Sequence, residues 1–170
     1  MKNNFYYFIF LVVLPAFFIC SCSRKTDRDL ILEMMDQVED LAAKKNVSGL
    51  MELVEEDYTD FEGRGRGETE DLIQSYFRDY RGIVIHILST RFDDLQDFEA
   101  SIRTEVVLSS GGAEIFRKLV RLAGSFYRFR LKLRKTDARW RIFYGEWEEI
   151  GLEDLFPESL PFLKKISPDL

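Results

Sequence analysis

The sequence predicts an α+β fold in which three N-terminal helices pack on a curved antiparallel sheet. Three observations predict it. From Arg28 to Tyr80 apolar residues recur at three- and four-residue spacing, the period of an amphipathic helix. From Ile83 to Ile150 the period falls to two, the alternation of strands with one face buried. Turn-forming sequences, Ser109-Ser110-Gly111-Gly112 and Lys135-Thr136-Asp137-Ala138, separate consecutive strands. Helices first and strands after them read as α+β rather than as alternating α/β units.

The chain opens on a segment foreign to that fold. Met1 to Asn4 is polar with one lysine, and Phe5 to Ile19 is an apolar run of 15 residues. That is the length of a secretory h-region and short of the roughly 20 residues a spanning helix needs. Ile19-Cys20-Ser21-Cys22 then resembles the lipobox of bacterial lipoproteins: a branched apolar residue, a tolerant position, a small residue and the cysteine. Cys22 fits better than Cys20, because small Ser21 precedes it whereas bulky Ile19 precedes Cys20. The resemblance implies a signal peptide over 1–21, cleavage after Ser21, and acylation of Cys22 with chains such as palmitate. A plain secretory signal or an uncleaved anchor are the alternatives. No Asp follows Cys22, which in this resemblance implies the outer membrane, facing the periplasm, rather than the inner membrane. The body keeps no thiol, so disulfide, zinc-thiolate and cysteine-nucleophile chemistry are excluded.

The elements of the body follow in order. Residues 22–27 form a tether. In the first helix, from Arg28 to Lys45, Ile31, Met34, Met35, Val38, Leu41 and Ala42 form the apolar stripe, with Asp27 as N-cap. The second runs from Val47 to Glu56 and the third from about Thr69 to Tyr80, with Leu72, Ile73, Tyr76 and Phe77 along one side. Ile83 to Leu88 is a strand rich in β-branched residues, and Phe98 to Leu108 alternates cleanly. Val120 to Lys135 forms a long strand bent at Gly124, and Arg139 to Ile150 is the last. In the tail, 151–170, Pro157, Pro161 and Pro168 forbid one long helix. Its apolar residues favour wrapping the body, with the pocket mouth as one place for it; a partner-binding arm is the alternative.

Of the 170 residues 46% are apolar and 32% charged, the composition of a globular domain, and the net charge of −6 gives no general attraction to nucleic acid.

Local phrases add a resemblance. Lys45-Asn46-Val47-Ser48-Gly49-Leu50, the acidic stretch Glu56-Asp57-Tyr58-Thr59-Asp60 and Ala138-Arg139-Trp140-Arg141-Ile142, in this element order, resemble the nuclear transport factor 2-like (SnoaL-like) superfamily over about residues 28–150. The resemblance implies a cone-shaped half-barrel around a pocket, with Tyr58, Phe61, Phe77 and Trp147 at or near its lining. Some members are enzymes and many only bind. In the family's steroid isomerases a carboxylate five residues after a loop Asp is the general base, and counting from Asp57 reaches Glu62. Asp57 and Asp60 are the other candidate bases. The position matching the oxyanion-stabilising tyrosine holds Val38, and a base without its electrophilic partner gains little.

Other constellations are bland. His86 is the only histidine, so no paired-histidine metal site exists, and a structural role is favoured. Gly63 to Gly67 alternates glycines without the preceding strand that a phosphate loop requires. Between Arg117 and Arg141 stand ten basic residues and one acidic one. There Arg128, Arg130, Lys132 and Arg134 share one strand face, answered by Glu105, Glu146 and Glu148 on opposite strands. A solvated, partly paired face is the favoured reading and a docking surface for an anionic envelope partner the sharper one. The sequence thus leads to a lipid-anchored, non-catalytic module for a small apolar ligand or an envelope protein, with no cofactor, no metal and no nucleic acid. The alternatives are an assembly lipoprotein acting through its basic face and tail, and a small isomerase, dehydratase or hydrolase using a pocket carboxylate.

Overall fold

The computed structural model describes residues 25–79, 83–110 and 125–166. The leader, Cys22, the Gly111-Gly112 turn and the bend at Gly124 lie outside the described residues. Helix α1, Asp27–Ala43, is capped by Thr26 rather than by Asp27. The Thr26 hydroxyl accepts from the Asp29 N–H at 3.2 Å, and the Asp29 carboxylate accepts from the Thr26 N–H at 2.9 Å, a reciprocal capping box. The Asp27 side chain turns instead to the sheet, where its carboxylate accepts from Lys135 Nζ at 2.5 Å and Trp140 Nε1 at 3.2 Å. Those bonds fasten the start of α1 to the last hairpin of the sheet.

The helix ends at Lys44, and Lys45, at φ 53°, reverses the chain. Asn46 caps the short α2, Val47–Glu52, by accepting from the Gly49 N–H at 3.0 Å. A Cβ on Gly49 would stand 2.6 Å from Leu41 Cδ2 and 2.9 Å from Nδ2 of the capping Asn46, so a larger residue there would displace both side chains.

Beyond α2 the structure corrects the sequence reading. Residues 54–60 are neither helix nor loop; Val54–Asp60 forms strand β1, paired in parallel with the last strand. An edge strand needs only one neighbour, and its carboxylates find partners across the sheet. Glu55 accepts from Thr136 Oγ1 at 2.7 Å, and Asp57 from Arg134 Nη1 at 2.9 Å. Helix α3, Arg66–Asp79, then leads to β2, Ile83–Leu95, β3, Glu99–Ser110, β4, Ser125–Thr136, and β5, Arg139–Ile150. Strand β2 runs seven residues past Leu88, where the apolar alternation stops, because β3 continues to pair with it.

The sheet order is β1-β5-β4-β3-β2, antiparallel throughout except at the β1 edge. The expected sheet is therefore antiparallel in four strands with one parallel addition. It is curved and unclosed, and its register shifts at Ile87/Ser89, Phe92/Asp94 and Lys132/Leu133, where an extra residue bends a strand.

Both faces carry a packed layer, the second at one end only. On one, Ile31, Met34 and Met35 of α1 pack on Ala100, Ile102, Leu131, Leu133 and Trp140. Burial of each large side chain there contributes about 1.5–3 kcal/mol. On the other, Leu155 and Leu163 pack on Leu88 and Val107. These two come from the tail, a 3-10 turn at Leu152–Asp154 followed by α4, Ser159–Ile166, a fourth helix that the sequence reading did not contain. Pro161 is tolerated because it falls in the first turn, where its missing N–H would lack a helical partner anyway. The tail thus wraps the face opposite α1 rather than the helix side of the sheet, where a pocket mouth was expected.

Under the tail, Glu105 is wholly buried. It accepts from Arg128 Nη2 at 2.8 Å, the Phe156 N–H at 2.8 Å and Ser159 Oγ at 2.6 Å. Arg128 also donates to the Asp154 carbonyl. Three guanidinium groups, Arg91 at 3.8 Å, Arg128 at 4.7 Å and Arg103 at 5.5 Å from its ring centroid, surround Phe156.

Candidate functional site

Odd-numbered residues of β4 face α1, which puts Leu131 and Leu133 in the core and carries Phe129 and Tyr127 along the same face toward the other end. Trp147 of β5 is the direct cross-strand partner of Phe129. Their ring centroids lie 6.0 Å apart, and Tyr127 stands 6.4 Å beyond Phe129. Phe61, just past β1, meets Trp147 edge to face at 4.8 Å. Tyr127, Phe129, Trp147 and Phe61 therefore form a continuous row on the helix-facing side of the sheet, with Phe61 47% exposed at its end. Such a row is a run of apolar, polarisable surface of the kind that lines binding sites for apolar molecules.

The loop after β1 fixes the end of the row. Asp60, buried, accepts from the Glu62 N–H and the Arg64 N–H, each at 2.9 Å, and from Arg64 Nε at 2.7 Å. Burial alone would push its carboxyl up, but the bonds from Arg64 and Glu62 outweigh that and hold it below the usual carboxylate range. Arg64 also pairs with Glu62, and its guanidinium carbon lies 5.2 Å over the Trp147 ring. One cation is thus held by two carboxylates and laid on an aromatic face.

The residues expected at the pocket divide accordingly. Phe61 and Trp147 meet, Tyr58 and Asp60 are buried at the end of β1, and Glu62 is half-exposed in the loop after it. Tyr58 passes under β5: a Cβ on Gly145 would fall 2.9 Å from its hydroxyl, so glycine is required where the ring crosses. Burial, with Asp60 nearby, pushes the Tyr58 phenol up to about 12. Phe77 is half-buried on α3, where its carbonyl accepts from Lys45 Nζ at 2.7 Å. Asp57 is drawn to Arg134, whose hydrogen bond lowers its carboxyl pKa. Sequence reasoning missed Phe129, Tyr127 and Arg64; the phase of β4, in step with Leu131 and Leu133, was the signal for the first two.

On the opposite face the predicted cationic stripe is in place but answered. Arg128 pairs with Glu105, Arg130 with Glu146 at 2.6 Å and Glu148 at 3.4 Å, and Arg134 with Asp57 at 2.9 Å. Lys132 lies 5.2 Å from the Tyr144 ring centroid. The Arg128–Glu105 pair is buried rather than solvated. His86 Nδ1 lies 2.9 Å from Glu39 Oε1, and Glu39 Oε2 also accepts from the Ile87 N–H at 3.1 Å, which covers part of the free edge of β2. Among the described residues no three His, Cys, Asp or Glu are grouped to hold a metal ion, and no helix is long and apolar enough to cross a membrane.

No family model matches the sequence, and no curated protein matches it. Solved structures do. A nuclear transport factor 2-like protein with a cystatin-like fold from Novosphingobium aromaticivorans superposes with a TM-score of 0.59 at 20% identity, over 81% of this chain and 88% of that one. A candidate scytalone dehydratase from the same organism gives 0.58 at 17% identity, over 72% and 83%. Bd1075 of Bdellovibrio bacteriovorus gives 0.60 at 9% identity over 72% of this chain, which spans only 40% of that protein. At such identities the likeness establishes the fold alone.

Proposed function

Taking the chain as a nuclear transport factor 2-like domain, we propose that it is a non-catalytic binding module, held at the outer membrane by lipid on Cys22, whose aromatic row takes a small apolar ligand. One observation carries the reading: beside a row of four rings, each of the three carboxylates expected as a base, Asp57, Asp60 and Glu62, is already paired with a cation. A general base needs a free lone pair within reach of the substrate and a pKa near the working pH. Asp60 spends its lone pairs on Arg64 and Glu62, Glu62 pairs with Arg64, and Asp57 pairs with Arg134. With Val38 where an electrophilic partner would stand, the site binds better than it reacts. The answered charges on the opposite face favour this reading over docking of an anionic envelope partner.

The test uses N-phenyl-1-naphthylamine, an apolar aromatic probe whose emission rises on leaving water. Full-length protein should bind it saturably, Trp147→Ala should weaken binding by about tenfold or more, and Glu62→Gln should leave it unchanged. Equal binding by Trp147→Ala and the wild type would remove the row from the site. Turnover of a dehydration or isomerisation substrate that Glu62→Gln abolishes would replace binding with catalysis.

A further inference from the structure

The β2–β3 hairpin ends in an apolar tip that no described residue covers. Phe98 is 70% exposed, the most exposed large apolar side chain among the described residues, and Leu95 is 39% exposed. The tip is rigid. The Gln96 N–H donates to the Glu99 carbonyl at 2.8 Å, closing the turn, and the Lys135 N–H donates to the Phe98 carbonyl at 2.8 Å, tying it to β4. Two apolar side chains held outward together on a braced turn form a patch that gains free energy when something apolar covers it.

Lys135 connects this tip to the start of the domain. Its main chain holds Phe98, and its ammonium group holds Asp27, the first residue of α1, at 2.5 Å. The chain therefore enters the fold at the same pole as the exposed tip. Cys22 precedes Lys25 by three residues, a span of at most about 11 Å of extended chain. An acylated Cys22 has to keep this pole beside the bilayer, whereas the far end of β5, ten residues along the strand from Arg139 to Glu149, lies about 33 Å away.

We infer that the β2–β3 tip, led by Phe98 with Leu95, is a membrane-contact element that docks into the interfacial layer of the bilayer holding the Cys22 anchor, so that the domain stands on the membrane in one orientation. The inference rests on the lipid-anchor reading. The occupant is a zwitterionic interface rather than an anionic one, because Asp94, Asp97 and Glu99 flank the apolar pair and would be repelled by anionic headgroups. The tip is too short to cross; it lies in the interface as an apolar wedge.

The experiment reconstitutes the full chain, purified from its membrane, into phosphatidylcholine vesicles. The acyl chains are brominated close to the headgroup. With Cys20 removed and Cys22 acylated, Phe98→Cys supplies a single thiol for an environment-sensitive fluorophore, and Glu149→Cys supplies the same label at the opposite pole; both native side chains are exposed, so neither change disturbs the core. The label at 98 should shift to the blue and lose most of its emission to the bromines, while the label at 149 does neither. Equal, unquenched emission at both positions from anchored protein overturns the docking alone. A blue-shifted label at 98 without bromine quenching also overturns it, and assigns the tip to a second copy of the chain. If mass spectrometry finds Cys22 unacylated, the anchor fails and the docking falls with it.

Discussion

Asp60 stays charged inside the fold because three hydrogen-bond donors converge on it. Those bonds hold its carboxyl below the usual range despite burial. Its folded pKa lies below the unfolded value of about 3.9, so its contribution to stability is present above about pH 4 and is lost as pH falls through the folded value. Urea unfolding from pH 7 to pH 3 should therefore show stability falling steeply in the acid limb, and Asp60→Asn should cost about 1–3 kcal/mol at pH 7 while flattening that limb. An Asn variant with wild-type stability and the same acid slope would mean that the charge is not structural. The sequence made Asp60 visible as a candidate base, since it follows a helix in an acidic stretch. What it could not display was Arg64 folding back four residues to engage it. Tyr58 was legible as an aromatic near the pocket, but its burial under Gly145 depends on a contact 87 residues away in the chain.

Strand β1 shows where local pattern fails as a guide to an element. Val54 to Asp60 holds four carboxylates and no apolar alternation, so nothing in its own sequence marks a strand. Pairing with β5 and the answering cations Arg134 and Arg141 make it one. The tail is the complementary case. Val107, Phe126 and Ile150 are register neighbours on the face that is otherwise charged, and that break in polarity announces a cover at one end of the sheet. The Glu105–Arg128 pair beneath the cover is an element-scale lock, since it ties β3 and β4 to residues 154–159. Removing one partner of a buried pair strands the other, so Arg128→Ala should cost about 3–5 kcal/mol in chemical denaturation. A loss under about 1 kcal/mol, typical of an exposed pair, would mean that the tail does not seal this region.

At the scale of the molecule, the order of elements was readable because α1 and strands β3 to β5 each bury one face, and such faces write their period into the sequence. The aromatic row was half readable: Phe61 and Trp147 were marked, but the row exists only because the β4–β5 register sets Trp147 beside Phe129. Put together, the chain has a pole where α1 begins, an outer face covered at one end, and an inner face that carries a row of rings beside the cation-paired Asp60 and Glu62. Whether those rings receive the ligand is best measured by energy transfer from tryptophan to bound N-phenyl-1-naphthylamine in Trp140→Phe protein, where Trp147 is the sole donor. Efficient transfer that saturates at one probe per chain is the result this account predicts; saturable binding without transfer from Trp147, or no saturable binding at all, would contradict it.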